Sequence, residues 1–326
     1  MTAPPLQAPG SAELRAGETK VTIVPARGGK ITSLVLAGRE WLWTGEPSFG
    51  REAGFQVSDW LEAGFDECFP TIAACTLPAV AGRYAAIALP SPYSGLTLPE
   101  RGELWSQRAS FLLETREDGV YAACGWVGKR LPYRFARALQ VHHDERIEIR
   151  YAVTNDGPDR LPFIWSAQPV LSVTKLSRIE LPEGARVRVW SEHGINLGGP
   201  GAEHRWPRAF SAGKAFDLSR PETLGRAYAC KLFVDMPAGM AAVEEPGARL
   251  EVSFDTLQVP YFGLTLHRAG GSSLVRRKSE LQIGFGPSLG APDSLTEAIG
   301  GWKSAAWLEP GETRDWTVTW RGIRLA

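Results

Sequence analysis

The sequence carries no net charge, no long apolar run and few cysteines, and each shortage closes off a class of function. Among its 326 residues, 36 Lys and Arg balance 36 Asp and Glu. No global field therefore draws in a phosphate backbone or an anionic lipid surface, and nucleic acid is not an expected partner. No stretch of about 18 apolar residues occurs. The first ten residues, with Pro4, Pro5 and Pro9, lack a charged start followed by an apolar run. Neither a membrane span nor an export signal is expected. The four cysteines, Cys68, Cys75, Cys124 and Cys230, are scattered in apolar surroundings without a C-x-x-C pair. That is the pattern of buried reduced thiols, not of a disulfide framework or a zinc site, and it suits the cytoplasm. The five histidines show no H-x-H or H-E-x-x-H spacing, so no metal and no cofactor are expected.

Helical periodicity is also scarce. From Thr19 onward, short β-branched and aromatic runs alternate with Gly, Pro, Asn and Asp, and almost no segment keeps a helical period over three turns. The clearest hairpin climbs from Arg137 to Val141, turns at His142–Glu145 and returns through Ile147, Ile149, Tyr151 and Val153. One helix start stands out: Asp293 or Ser294 caps a short turn through Ala298 that ends at Gly300-Gly301. The Gly- and Pro-rich stretch from His193 to Arg208 reads as a long loop. No internal repeat is visible. Turn signals at intervals of about 8 to 12 residues predict a large antiparallel β-sandwich. The reading is one domain over residues 1–326, with 1–15 as a flexible N-terminal tail.

Four stretches resemble the galactose mutarotase-like (aldose 1-epimerase) superfamily. Ile31-Thr32-Ser33-Leu34 with Gly38–Trp43 is similar to its opening hairpin. Gly64-Phe65-Asp66-Glu67-Cys68-Phe69-Pro70-Thr71, followed by Arg101-Gly102-Glu103-Leu104-Trp105-Ser106, resembles its D-E-C-F-P and H-G-E-L-W segments. Phe163–Pro169 is similar to its W-x-x-H-P strand, and Pro260–Leu264 through Gly286–Asp293 to the segment ending in its E-P-x-x-G loop. The resemblance covers nearly the whole chain. It implies an all-β fold, a large twisted antiparallel sandwich of the supersandwich type, with a sugar cleft across its concave face.

The departures fall on the family's chemistry. In the family, one histidine of H-G and another of W-x-x-H-P position the sugar and protonate its ring oxygen, while the glutamate of E-P takes the anomeric proton. Arg101, Gln168 and Gly286 stand at those positions. Ring opening needs a donor and an acceptor with pKa values near working pH. Arginine stays protonated, glutamine does not titrate and glycine has no side chain. The resemblance thus implies a pyranose-binding protein without the inherited mechanism.

Asp66, Glu67, Arg101, Glu103, Trp105, Gln168, Asp235 and His267 are the candidate sugar contacts. On an extended strand Arg101, Glu103 and Trp105 would share one face, a charged pair beside an aromatic platform. Adjacent Asp66 and Glu67 would point to opposite faces, so one of them is structural. Asp235 occupies a place where the family often has a sugar-binding aspartate, and His267 follows the strand from Phe262 to Leu266. Of the twelve tryptophans, Trp105 and Trp165 are the first expected at the cleft, the rest in the core. The ligand expected is a neutral hexose. The superfamily's hexose-6-phosphate epimerases carry arginines where this chain has Glu62 and Trp105, and the run Arg276-Arg277-Lys278 reads as a solvated turn. Two alternatives remain open. One is an active aldose 1-epimerase or sugar isomerase with Glu103 or Asp66 as base and His267, or an acid raised in pKa by burial, as partner. The other is a regulatory or interaction subunit that works through its surface.

Overall fold

The computed structural model describes residues 10–43, 63–78, 89–268 and 281–326; Glu62 and the run Arg276–Lys278 lie outside them. Two antiparallel sheets dominate the described residues. The larger runs through Ala12–Ala16, Thr19–Val24, Lys30–Leu36, Phe65–Cys68, Trp165–Ser172, Leu281–Leu289, Tyr261–Arg268, Tyr228–Asp235 and Arg186–His193 before ending in three short strands. The second contains the expected hairpin as Tyr133–His142 and Arg146–Asn155, with Val141 opposite Ile147, flanked by Gly119–Val127 and Thr313–Arg324. The architecture is the antiparallel sandwich that the turn spacing predicts. Three details differ. Ala12–Ala16 pairs with Thr19–Val24, so the expected tail stops short of residue 12, held by the burial of Ala12, Leu14 and Ala16. The expected loop from 193 to 208 contains the strand Glu203–Arg205, which pairs with Arg186–Arg188. The helix is Leu295–Ile299, and Ser294, not Asp293, caps it by accepting from the Glu297 backbone N–H.

Alternation along the strands sorts side chains between a shared core and the outer face of the larger sheet, the face that the resemblance expects to be concave. Phe65, Trp165, Phe262, Leu264, Leu232 and Val234 point inward and meet Phe135, Ile149, Tyr151, Trp316 and Trp320 of the second sheet. Tyr151 stacks on Trp316 at 5.4 Å, and Trp165 closes on both at 4.6 and 4.9 Å. Within this apolar seam sits one charged pair. Glu67 accepts hydrogen bonds from Arg137 Nη1 (3.3 Å), Tyr151 Oη (3.0 Å) and Trp165 Nε1 (2.9 Å), and Arg137 also donates to the Gly29 carbonyl. Burial pushes the Glu67 carboxyl up, and Arg137 opposes that shift. Removing one partner of a fully buried pair leaves the other uncompensated, which costs about 3–5 kcal/mol. Arg137→Ala should lower unfolding free energy by about that amount in urea titrations; a loss under ~1 kcal/mol, the scale of an exposed pair, would mean that the pair does not join the sheets.

Candidate functional site

Because the strand Phe65–Cys68 alternates, Asp66 points away from the Glu67 core onto the concave face. Its carboxylate Oδ2 lies 2.5 Å from Lys30 Nζ and 3.5 Å from Arg101 Nη1. The register then lays out a row across the sheet. Asp66 is opposite Gln168, Gly286 is opposite Gly263, and Gly263 is opposite Phe233, which is opposite Arg188. Gln168 donates to Ser166 Oγ at 2.7 Å, and its Oε1 faces Lys231 Nζ at 3.4 Å. The same ammonium lies 3.5 Å from Asp293 Oδ1. Lys231 extends over bare backbone, since a Cβ placed on Gly263 would come 3.5 Å from its Nζ. Glycine inside a strand leaves room for this close approach.

The electrostatics follow from burial. Lys30 is pulled below its usual range by desolvation, against the attraction of Asp66. Asp293 is pushed up by desolvation, against Lys231, whose ammonium meets its Oδ1 at the distance of an ion pair. Cys68, on the same side of its strand as Asp66, is pushed up to about 12 by burial. The cluster therefore holds one carboxyl shifted toward protonation and three cations, Lys30, Arg101 and Lys231, each facing a carboxylate. Among the described residues no group of three or more His, Cys, Asp and Glu is arranged to hold a metal ion, and no helix is long and apolar enough to cross a membrane.

The structure brings Asp66, Arg101 and Gln168 together on this face and separates the other candidates. Glu67 belongs to the core, as the alternation requires of one of the two. Arg101, Glu103 and Trp105 do not share a strand face. Arg101 and Gly102 both adopt positive φ (59° and 70°), and a Cβ on Gly102 would come 2.0 Å from the Phe69 carbonyl. The chain turns here instead of extending. Glu103 consequently faces inward, where it accepts from Tyr133 Oη (3.0 Å) and the backbone N–H groups of Lys129 and Arg130. Its carboxylate latches a loop and is not available as a base. Trp105 donates to the Glu100 carbonyl at 2.9 Å, and Trp165 is fully buried in the aromatic seam. Asp235 stands four residues beyond Lys231 and pairs with Arg186 at 2.6 Å. His267 shares the concave face at the opposite end, 3.4 Å from Gln282 Oε1.

Lys231, Asp293 and Lys30 are the members that sequence reasoning missed. Lys231 had a signal: it is a lone cation within the apolar strand Tyr228–Asp235. Asp293 had none beyond its place beside a helix cap. Gly286 is occupied territory as well as a missing side chain, because a Cβ there would lie 1.9 Å from the Ala167 carbonyl.

This sandwich with its charged concave face defines a galactose mutarotase-like fold. Solved structures share it over nearly their whole length: the Slr1438 protein of Synechocystis sp. PCC 6803 (TM-score 0.68, 16% identity, covering 100% of this chain and 99% of that one); a galactose mutarotase related enzyme from Lactobacillus acidophilus (0.63, 14%, 96% and 97%); and a galactose mutarotase-like protein from Clostridium acetobutylicum (0.62, 12%, 96% and 95%). No protein-family model matches the sequence, and no curated protein does. The likeness is one of fold.

The buried thiols supply a direct check on the packing beneath this face. Cys68 and Cys230, both buried and both pushed up to about 12, should not react with an aromatic disulfide reagent at pH 8 in the native protein, because thiolate is the nucleophile. Half-buried Cys75 should react alone, and all four thiols after denaturation. Rapid native labelling of Cys68 would contradict a closed floor under Asp66.

Proposed function

We propose that the concave face binds a pyranose sugar and that the protein lacks the acid–base set of aldose 1-epimerases. The observation that carries this reading is Lys231, held between Gln168 Oε1 and Asp293 Oδ1 above the side-chain-free backbone at Gly263. Amide, ammonium and carboxylate groups converge there with hydrogen-bonding capacity unspent, as recognition of ring hydroxyls requires. The absence of space for a side chain at Gly286 supports loss of the family's base. A neutral hexose is favoured because the cations are already engaged, Lys30 and Arg101 sharing Asp66 and Lys231 facing Asp293. The free cysteines suit a reducing cytoplasm.

Asp293 favours a second reading. It is a carboxyl raised by burial beside an ammonium in a cleft, the kind of perturbed group from which a general base is built. In that case the protein is an active sugar isomerase with a substitute base.

Polarimetry of freshly dissolved α-glucose and α-galactose, run with a tryptophan-fluorescence titration, separates the readings. Binding without faster mutarotation is the expected result. Lys231→Met should weaken binding about tenfold or more, the loss of one charged hydrogen bond. Acceleration that disappears in Asp293→Asn would establish the second reading, and no binding of either sugar would remove support from the first.

A further inference from the structure

Asp235 is not part of the Asp66–Lys231 cluster, yet it is not isolated. It lines an open groove of about 780 Å³ together with Glu183, Arg186, Arg205, Pro260 and Tyr261. The groove holds the chemistry of a sugar site. Arg186 reaches Asp235 through both Nε (2.7 Å) and Nη2 (2.6 Å), and both contacts fall on Oδ2, so Oδ1 is left for a ligand. Among the described residues Arg205 spends only Nη1, on the Gly184 carbonyl. No hydrogen bond among the described residues holds the Tyr261 hydroxyl. A fixed guanidinium–carboxylate pair beside an aromatic ring and a proline ring offers both donors and acceptors to hydroxyls and an apolar surface to the C–H face of a pyranose.

The groove and the cluster lie along one strand. Lys231, Phe233 and Asp235 alternate onto the same concave face, which puts Lys231 and Asp235 about 13 Å apart at ~3.3 Å per residue, a span longer than one sugar ring. Between them the half-buried Trp302 packs on Phe233 at 5.9 Å and stacks under Arg188 at 4.0 Å. Arg188 in turn shares Glu203 Oε1 with Arg186 of the groove, at 3.4 and 3.5 Å. Polar and aromatic side chains thus lie between the cluster at Lys231 and the groove at Asp235.

We infer that the groove is a second carbohydrate subsite, so that the ligand is an oligosaccharide lying across Trp302 with one unit at Lys231 and another at Asp235. This inference rests on the concave face being a sugar site. Calorimetric titration with glucose, maltose and maltotetraose, and with cellobiose and cellotetraose, tests it. Affinity should rise about tenfold from glucose to the tetrasaccharide of one series. Asp235→Ala and the conservative Tyr261→Phe should each abolish that gain and leave glucose binding unchanged. Equal affinity for glucose and every longer chain, or a length dependence that survives both substitutions, would overturn the second subsite while leaving the first. No binding of any of these sugars would overturn both.

Discussion

The geometry of this protein turns on the alternation of one short strand, Phe65–Cys68, whose neighbouring carboxylates go to opposite sides of the larger sheet. Glu67 enters the core and is fastened there by Arg137 and Tyr151 from the second sheet and by Trp165 from the neighbouring strand. Asp66 is thereby fixed on the concave face. A register slip of one residue would exchange the two, placing the shorter Asp66 carboxylate among Tyr151, Trp165 and Trp316 and turning Phe65 out of the core. The hydrogen bonds that satisfy Glu67 therefore also specify where Asp66 stands, and through it Lys30 and Arg101.

The concave face is built as a consequence. Gly263 leaves backbone where neighbouring positions carry bulk, and Lys231 extends over it. Asp293 arrives from the loop that precedes the Ser294-capped helix, and that loop is pinned because the Asp293 carbonyl accepts from the Ile72 and Ala73 backbone N–H groups. Elements distant in sequence thus supply fixed polar groups to a single surface. Such prearrangement is what allows a polar site to bind without first paying to order its side chains.

Much of this was legible in the sequence. The hairpin Tyr133–Asn155, the capped turn after Pro292 and the sandwich itself followed from period and turn chemistry. So did the separation of Asp66 from Glu67. What failed was the extended reading of Arg101–Trp105, because Arg101 and Gly102 at positive φ reverse the chain and a residue pattern of period two does not reveal a turn. Trp165 read as a cleft residue, but the phase of its strand, fixed by pairing with Phe65–Cys68 and Leu281–Leu289, sends it inward. Asp293 looked like a helix cap from its neighbours alone. Its burial against Lys231 depends on contacts more than sixty residues apart in sequence, which local propensity does not encode.

Whether the concave face holds a carbohydrate can be read from amide hydrogen exchange with and without a saturating sugar. Sugar bound there should slow exchange only in residues 64–74, 165–172, 228–235 and 290–304, the segments that carry Asp66, Gln168, Lys231, Asp293 and Trp302. Protection on the second sheet's outer surface, with these segments unchanged, would contradict it.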